Sequence, residues 1–455
     1  MTVVRTGTPP AKVRPRSFAR ADLVALSGAA ALVGAAVVVA LVLPVTGVSD
    51  VRVAAPLFAR WLPHVGPGTP AALLVAAAVC WFGPALAARL PWRRLLLSAY
   101  LGSVAWTLAL ALVDGWQRGL AARLTTPHEY LSEVAGVTDV GALLRGFTAR
   151  ILDFQPDSWA THVAGHPPGA LLVFVGLDRI GLGGGAWAAL VCVLAGSAVA
   201  VAVPVTIRAL GAADAARTAV PFLVLFPGAV WVGASADGLF AGVTAAGVAV
   251  LACAGGRAGR VLAVGAGVLL GFACYLSYGL VLMAPIALAV LVAARRLGQA
   301  VWVLAGTATV VAGFTLAGFW WLDGYHALVE RYYQGIASDR PYAYWVWANL
   351  ACLTLSAGPV LAPILRRSLG DTSRAITTER RLPPPWLLPT VAAAVAVLAA
   401  DLSGMSKAEV ERIWLPFAVW ILAGAALLPR RHQRAWLVAQ AVTALAVNHL
   451  LLTTW

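Results

Sequence analysis

The sequence predicts an all-α, polytopic membrane protein with about 13 transmembrane helices and short interfacial helices in one long outer loop. Of its 455 residues, 61% are hydrophobic and only 11% are charged, whereas about a quarter of the residues of soluble domains are charged. Apolar runs of about 20 residues, the length that crosses the hydrocarbon core, recur between short arginine-rich joints. A single long polar interval, residues 114–185, interrupts this pattern.

The N-terminal segment, residues 1–21, is rich in arginine and proline and predicts a disordered cytoplasmic tail. Residues 22–455 are predicted to form one transmembrane domain. Backbone groups inside lipid must be bonded within their own segment, so each apolar run is expected to be a helix. The predicted spans are 23–45, 71–88, 95–113, 186–207, 218–234, 238–254, 261–276, 279–294, 300–322, 343–365, 386–400, 413–428 and 435–453.

The thirteen spans predict a cytoplasmic N-terminus and place the loop 114–185 on the outer face of the plasma membrane. In this orientation the inner segments hold about twice as many Lys and Arg residues as the outer segments, as the positive-inside rule requires. The formal net charge of +14 follows from these helix-end cations. They do not form the continuous basic stripe that would indicate nucleic-acid binding.

A short apolar run, residues 170–182, follows the sequence HPPG and is too short to span comfortably. We expect an interfacial helix there. If this helix spanned the membrane, the orientation of every later helix would be inverted. Apolar residues alternate with charges from 115 to 165, which predicts two or three short amphipathic helices on the membrane surface.

Three outer acids are candidate catalytic residues: Asp114, Asp237 and Glu129. Asp114 ends a helix that is apolar through Val113, and an ionisable group at such a boundary is costly to place and often functional. Asp237 lies in a sharp turn between two helices and is expected to face the same cavity as Asp114, although it would equally serve as the N-cap of the following helix.

Six further residues are candidate substrate-binding groups. His162 and His166 have the i, i+4 spacing of a helical metal site. The glycine before His166 and the two prolines after it disfavour a helix there, so the metal site is left open. Arginines at the outer boundary can bind phosphate bidentately or extend toward lipid headgroups. The six are His162, His166, Arg340, Lys407, Glu409 and Arg412.

The order of these motifs resembles the GT-C class of integral-membrane glycosyltransferases. An aspartate closes an early helix, a long outer loop ends in HPPG, and the turn PGAVWVGASADGLF follows. The resemblance covers roughly residues 95–300 and continues more loosely to 415 through YYQGIASDRPYAYW and SKAEVERIWLPF. It implies that Asp114 is the general base, that His166 lies near the donor phosphate, and that Asp237 is the acid of the second outer loop.

The resemblance also implies a polyprenyl-phosphate-linked sugar as donor and an envelope glycan, lipid or protein as acceptor, in contact with membrane lipids. The class usually has one helix before the catalytic loop, whereas three are predicted here, so Asp50 is a rival for the base. An acidic pair at Asp114 is absent; Glu129 is the candidate second acid, and a divalent cation, Mg²⁺ or Mn²⁺, is left open. The alternatives are a transporter or flippase for a lipid-linked or small substrate and a non-catalytic assembly protein.

Overall fold

The computed structural model describes residues 20–43, 54–233 and 235–453, and these form a helical bundle. The predicted tail up to residue 19 and the rival base Asp50 lie outside the described residues. The first half contains α1 Arg20–Val42, α2 Thr69–Arg89, α3 Trp92–Ala111, α4 Leu131–Val134, α5 Val140–Gly146, α6 Thr161–Ala164, α7 Pro168–Arg179, α8 Gly185–Ser197, α9 Val199–Ala209, α10 Ala213–Val224 and α11 Ala229–Val232. The second half contains α12 Asp237–Ala252, α13 Gly259–Leu276, α14 Ala284–Ala293, α15 Ala300–Leu316, α16 Trp321–Gln334, α17 Tyr342–Ala357, α18 Leu361–Thr377, α19 Leu388–Leu402, α20 Val410–Ile413, α21 Leu415–Leu422 and α22 Gln433–Leu450.

The predicted fold class, an all-α polytopic membrane protein, is confirmed, and a helix lies in each of the thirteen predicted runs. Within the described residues, seven segments are by themselves long and apolar enough to cross a membrane, and three shorter apolar helices accompany them. The seven are Arg20–Val42, Thr69–Arg89, Trp92–Asp114, Gly185–Ala209, Gly256–Leu276, Leu297–Leu316 and Pro385–Leu402.

The run 343–365 was predicted as one continuous span, and the structure breaks it into α17, which ends at Ala357, and α18, which begins at Leu361. Helices α17 and α18 meet at an angle of 105°. Gly358 takes the left-handed conformation, with φ of 87°, and Pro359 follows it; this is a common way to end a helix. A side chain at Gly358 would also collide with Gln440, since a Cβ would lie 1.8 Å from its Oε1 atom. Helix α18 therefore leaves the direction of α17.

An ion-pair triad joins α1 to α18. Asp22, in the first turn of α1, is fully buried. Its carboxylate accepts hydrogen bonds from the guanidinium groups of Arg366 and Arg367, with an Nη2 to Oδ2 distance of 2.5 Å for Arg367. Charge-assisted bonds from two guanidinium groups thus tie the first helix to the bundle.

We expect Asp22→Asn to lower the free energy of unfolding by about 2 kcal/mol, since the amide cannot neutralise the two arginines. Thermal unfolding in detergent would measure this loss. Asp371→Asn is the matched control, because Asp371 lies 3.9 Å from the exposed Arg374; an equal loss in both variants would contradict a special role for the triad.

The outer loop contains three short α-helices before residue 165, α4, α5 and α6, in agreement with the sequence. Helix α7 has 12 residues and is therefore about 18 Å long, too short to cross the hydrocarbon core. It begins at Pro168 and buries Leu171, Phe174 and Val175. The loop is thus a packed cap on the bundle.

A two-stranded antiparallel ribbon, which the sequence did not predict, pairs β1 Ala59–Trp61 with β2 Leu451–Thr453. The chain after β1 then runs against the end of α3. A Cβ on Gly66 would lie 1.9 Å from the Val113 carbonyl oxygen, so only glycine permits this approach. The ribbon places the segment 62–68 beside Asp114.

Candidate functional site

Asp114 lies in a single turn of 3-10 helix, Leu112–Asp114, that ends the third spanning segment. Gly115 stops the helix in the left-handed conformation with φ of 80°. The Asp114 side chain is only 7% exposed, and Arg118 Nη2 and Arg123 Nη2 lie 3.2 and 3.3 Å from its oxygens. The predicted base is therefore a nearly buried carboxylate held between two arginines.

His64 completes this first group from the segment after β1. Its Nε2 atom lies 3.0 Å from Asp114 Oδ1, and its Nδ1 atom lies 2.6 Å from the Leu62 carbonyl oxygen, to which it can donate. His449 lies beside it, with ring centroids 6.5 Å apart. The segment between β1 and α2 thus delivers a side chain to the predicted base.

Arg123 ties the group to the C-terminal strand. Its Nη1 atom donates to the Thr453 carbonyl oxygen at 2.6 Å. Burial lowers the pKa of Arg123, while the charges of Asp114 and Glu129 act in the opposite direction. Because Glu129 acts on Arg123, the first group lies within electrostatic range of the acids described next.

A second group surrounds the buried Arg412 guanidinium. Its Nη1 atom donates to Asp237 Oδ2 at 2.9 Å, and Nη2 donates to Glu409 Oε2 at 2.7 Å. Nη2 also lies 3.2 Å from His162 Nε2, and His162 Nδ1 lies 2.8 Å from Glu129 Oε1. With a proton on Nδ1, His162 donates to Glu129 from Nδ1 and accepts from Arg412 at Nε2. The two flanking carboxylates raise the pKa of Arg412 against the effect of burial, so the cation is permanent.

Arg340 and Lys407 extend this group. Arg340 Nη2 lies 3.1 Å from Glu409 Oε1, and its Nη1 donates to the Lys407 carbonyl oxygen at 2.7 Å. Lys407 directs its Nζ to the Ala337 carbonyl oxygen at 3.0 Å, and its backbone N–H donates to the Tyr332 hydroxyl at 2.9 Å. Burial opposes ionisation of Glu409, but Arg412 and Arg340 outweigh it and lower its pKa.

The backbone that presents Glu409 is strained. Ala408 and Glu409 both take left-handed conformations, with φ of 71° and 63°, which side-chain-bearing residues rarely adopt. Buried Asn349 holds the turn: its Oδ1 accepts from Ala408 N at 3.2 Å, and its Nδ2 donates to Ser406 O at 2.6 Å and to Asp401 Oδ1 at 2.9 Å. Such strain persists where the surroundings impose it, often at functional sites.

His166 faces the second group without joining its ion pairs. Its Nδ1 atom lies 2.9 Å from the Tyr130 hydroxyl and 2.7 Å from the His162 carbonyl oxygen. Burial lowers the pKa of His166 to about 4, so the imidazole is neutral at physiological pH. It can orient a ligand by hydrogen bonding but brings no charge to a phosphate.

The predicted site residues fall into two groups. Asp237, Glu129, His162, Glu409, Arg412 and Arg340 are brought together, and Asp114 belongs to the separate His64 group. Glu129 contacts His162 of the second group and acts electrostatically on both Arg123 and Arg412. Asp237 does not cap its helix: it is the first residue of α12, the N-cap is Ala236, and no side-chain cap bond forms. Its carboxylate binds Arg412 instead.

The carboxylates of the second group do not form a site for a divalent cation. Among the described residues no group of three or more His, Cys, Asp or Glu side chains is placed to hold a metal ion. Asp237 and Glu409 are turned toward the Arg412 guanidinium, which takes the central position that a cation would need. The described acids therefore fit an arginine better than Mg²⁺ or Mn²⁺.

Sequence reasoning missed four polar residues of these groups: His64, Arg118, Arg123 and Tyr130. Arg118 carries a signal, because it lies one helical turn after Asp114 and an i, i+4 pair of opposite charges is favourable. The other contacts depend on turns and distant segments that have no periodic pattern.

Glu411 precedes Arg412 in α20 and is buried beside the second group. It is 1% exposed, its Oε1 accepts from Phe58 N at 3.3 Å, and its Oε2 has no hydrogen-bond partner among the described residues. Burial raises the pKa of Glu411 from 4.5 to about 7. The folded protein therefore holds a proton there at pH values at which the unfolded chain does not.

We expect Glu411→Gln to stabilise the protein at pH 8 by up to about 3 kcal/mol, the free energy of a shift of this size. Stability of the parent protein should fall as pH rises from 4.5 to 7 and then level off, because the folded state binds the additional proton. Thermal unfolding at pH 5 and pH 8 would measure this. A gain that is as large at pH 5 as at pH 8 would contradict the titration of Glu411.

The chain is similar in fold to solved structures, but no known sequence family matches it. No protein-family model matches the chain, and no curated protein matches it. The structure of the Archaeoglobus fulgidus oligosaccharyltransferase, in complex with Zn and sulfate, aligns with a TM-score of 0.51 and 14% identity over 78% of this chain. Two structures of ArnT from Cupriavidus metallidurans, one in the apo state and one bound to undecaprenyl phosphate, align at 18% identity over 71% of this chain, with TM-scores of 0.44 and 0.43.

The helical architecture and the alignment with the oligosaccharyltransferase define a multi-pass membrane protein that shares the fold of that GT-C glycosyltransferase. The fold implied by the resemblance to the GT-C class is therefore confirmed. This chain spans 53% of the length of the aligned oligosaccharyltransferase chain and 58% and 59% of the two ArnT chains.

Proposed function

We propose that the protein is an inverting glycosyltransferase that moves one sugar from a polyprenyl-phosphate donor to a hydroxyl group of an envelope glycan, lipid or protein. The observation that carries this proposal is Asp114: a nearly buried carboxylate at the end of a spanning helix, flanked by two arginines, in a GT-C fold. The reaction takes place at the outer face of the plasma membrane, where the orientation predicted from the charge bias puts the loop 114–185.

In the proposed step the acceptor oxygen attacks the anomeric carbon while the bond from that carbon to the donor phosphate breaks. Asp114 accepts the proton of the acceptor hydroxyl, a role that needs hydrogen-bond reach in the bound complex. The polyprenyl phosphate leaves with the bonding electrons, and fixed cations stabilise its charge. Configuration is inverted because a single displacement occurs.

The second group is proposed to hold the sugar. Its buried polar groups form a connected series, from Glu129 through His162 and Arg412 to Asp237 and Glu409, and such groups can accept hydrogen bonds from sugar hydroxyls and donate hydrogen bonds to them. Fixed polar groups of this kind orient a substrate rather than react with it. Arg340 and Lys407 fix the turn that carries Glu409.

We further propose that transfer proceeds without a divalent cation, since Arg412 already supplies a central positive charge to these acids. Activity of the purified protein should be kept after treatment with EDTA, with assays in added Mg²⁺ and Mn²⁺ for comparison. Loss of transfer in EDTA and its recovery with either metal would refute this part of the proposal.

The test of the proposed function is an analysis of lipid-linked sugars in cells that lack the protein. We expect a polyprenyl-phosphate sugar to accumulate, and the purified protein in nanodiscs to transfer that sugar to an envelope fraction. If the protein were a flippase, the lipid-linked sugar in cells that lack it would stay on the inner leaflet. Labelling from outside the cell would distinguish this case. Unchanged lipid-linked sugars would contradict the proposal.

A further inference from the structure

Two buried nitrogen atoms beside Asp114 have no hydrogen-bond acceptor among the described residues. They are Arg123 Nε and His64 Nε2; the latter lies 3.0 Å from Asp114 Oδ1 without hydrogen-bond geometry. The Arg123 side chain is 9% exposed, so water reaches it poorly. Arg123 Nε always carries a proton and is therefore an unpaired buried donor. Such donors are rare in native proteins and call for an explanation, and an acceptor supplied by a ligand would be one.

The charges around Asp114 point to an anion. Two guanidinium groups, Arg118 and Arg123, face one carboxylate, which leaves an excess positive charge. The Arg118 side chain is 50% exposed, so a ligand can reach the group from the surface.

The second group has no such excess. Three carboxylates, Glu129, Asp237 and Glu409, surround two guanidinium groups, Arg340 and Arg412. The ammonium group of nearby Lys407, which donates to the Ala337 carbonyl oxygen, brings the cations to three. The formal charges of the second group therefore balance, and the excess of positive charge lies beside Asp114.

We propose that Arg118, Arg123 and His64 form the binding site for the phosphate group of the lipid-linked donor. This inference rests on the proposed function and assigns the phosphate to residues other than Arg340, Arg412 and His166. A guanidinium group binds two phosphate oxygens at once, and Arg123 Nε supplies a donor that Asp114 does not use. His64 donates to the phosphate when Nε2 carries a proton.

The site also explains how a carboxylate paired with two arginines can act as a base. Without donor, Arg118 and Arg123 both pair with the Asp114 carboxylate. The bound phosphate competes for the same guanidinium groups, so Asp114 loses part of its pairing when the donor is in place. The acceptor hydroxyl then gives its proton to Asp114 as its oxygen bonds to the anomeric carbon and the sugar–phosphate bond breaks.

Binding of a sugar-free polyprenyl phosphate to the full-length protein in nanodiscs tests the site without needing turnover. We expect Arg118→Gln to weaken binding at least tenfold while thermal unfolding is unchanged, because Arg118 is half exposed. Arg123→Lys is the second variant; it keeps the charge but loses the second oxygen contact, and we expect a smaller loss. Arg150→Gln is the matched control, since Arg150 lies in the same loop, near Glu133 and Asp157, and should bind as the parent does.

Competition identifies the source of the phosphate. Inorganic phosphate at millimolar concentration should displace the polyprenyl phosphate from the parent protein, and less effectively from Arg118→Gln. Displacement by phosphatidylglycerol at equal concentration would overturn the assignment to the donor, since the site would then be a general headgroup site. Unchanged binding in Arg118→Gln and Arg123→Lys, with loss in Arg412→Gln, would overturn the site itself.

Failure of the proposed function has a different result. If the parent protein binds polyprenyl phosphate through Arg118 but never transfers a sugar, the phosphate site stands and the transferase proposal fails. If transfer occurs but does not depend on Arg118, the transferase stands and the site fails.

Discussion

Asp114→Asn is expected to abolish sugar transfer, with turnover reduced by about 10²–10⁴-fold, the usual contribution of a general base. Asparagine has nearly the shape of aspartate but cannot take up the acceptor proton. Transfer from the accumulated lipid-linked sugar, measured with protein in nanodiscs, would give the rate. Binding of the donor should survive, because Arg118 and Arg123 remain in place and lose a competing carboxylate.

Two controls make this result specific. Asp157→Asn changes an exposed acid of the same loop that lies 3.6 Å from Arg150, and it should leave the rate unchanged. Asp50→Asn tests the rival base predicted from the sequence. Full activity of Asp114→Asn together with an inactive Asp50→Asn variant would transfer the role of base to Asp50.

Arg412→Met is expected to cost about 3–5 kcal/mol of stability, the usual consequence of removing one partner from a buried ion pair. Methionine fills much of the volume but leaves the carboxylates of Asp237 and Glu409 without the cation that now lies 2.9 and 2.7 Å away. Thermal unfolding in detergent would measure the loss. The loss should shrink as pH falls, because Arg412 no longer lowers the pKa of Glu409 and a protonated carboxyl group tolerates burial.

Arg430→Met is the control for the change in side-chain type, since Arg430 is 78% exposed and lies 3.8 Å from an exposed aspartate. The double variant Arg412→Met with Asp237→Asn should be more stable than Arg412→Met alone, because it removes one uncompensated charge. A double variant less stable than the single one would show that Arg412 acts through its packing and not through its charge.

The sequence predicted the spans because each one is encoded locally by a run of apolar residues that lipid requires to be helical. It failed at 343–365, where Gly358 and Pro359, a recognised helix-ending pair, interrupt a run whose composition stays apolar. The members of the second group were predicted individually from their outer position. Which of them meet Arg412 was not predictable, because Glu129, Asp237 and Glu409 come from three distant segments.

The first group was predictable only at Asp114. His64 reaches it through a ribbon of three residues per strand, and neither strand is long enough to produce a recognisable alternation of apolar and polar residues. The close approach of Gly66 to Val113 is marked in the sequence only by the glycine itself. Many other glycines are present for different reasons, so this one does not reveal the contact.

The bond from Arg123 to Thr453 joins residues 330 positions apart. At the usual rate of synthesis, roughly 20–60 s pass between the addition of these two residues. During that interval the loop 114–185 can already be outside the membrane, while β1 has no partner strand and Arg123 lacks its carbonyl acceptor. The nascent chain is therefore expected to acquire its complete Asp114 group only after α22 has been inserted, which would delay the proposed transfer activity until α22 has joined the bundle.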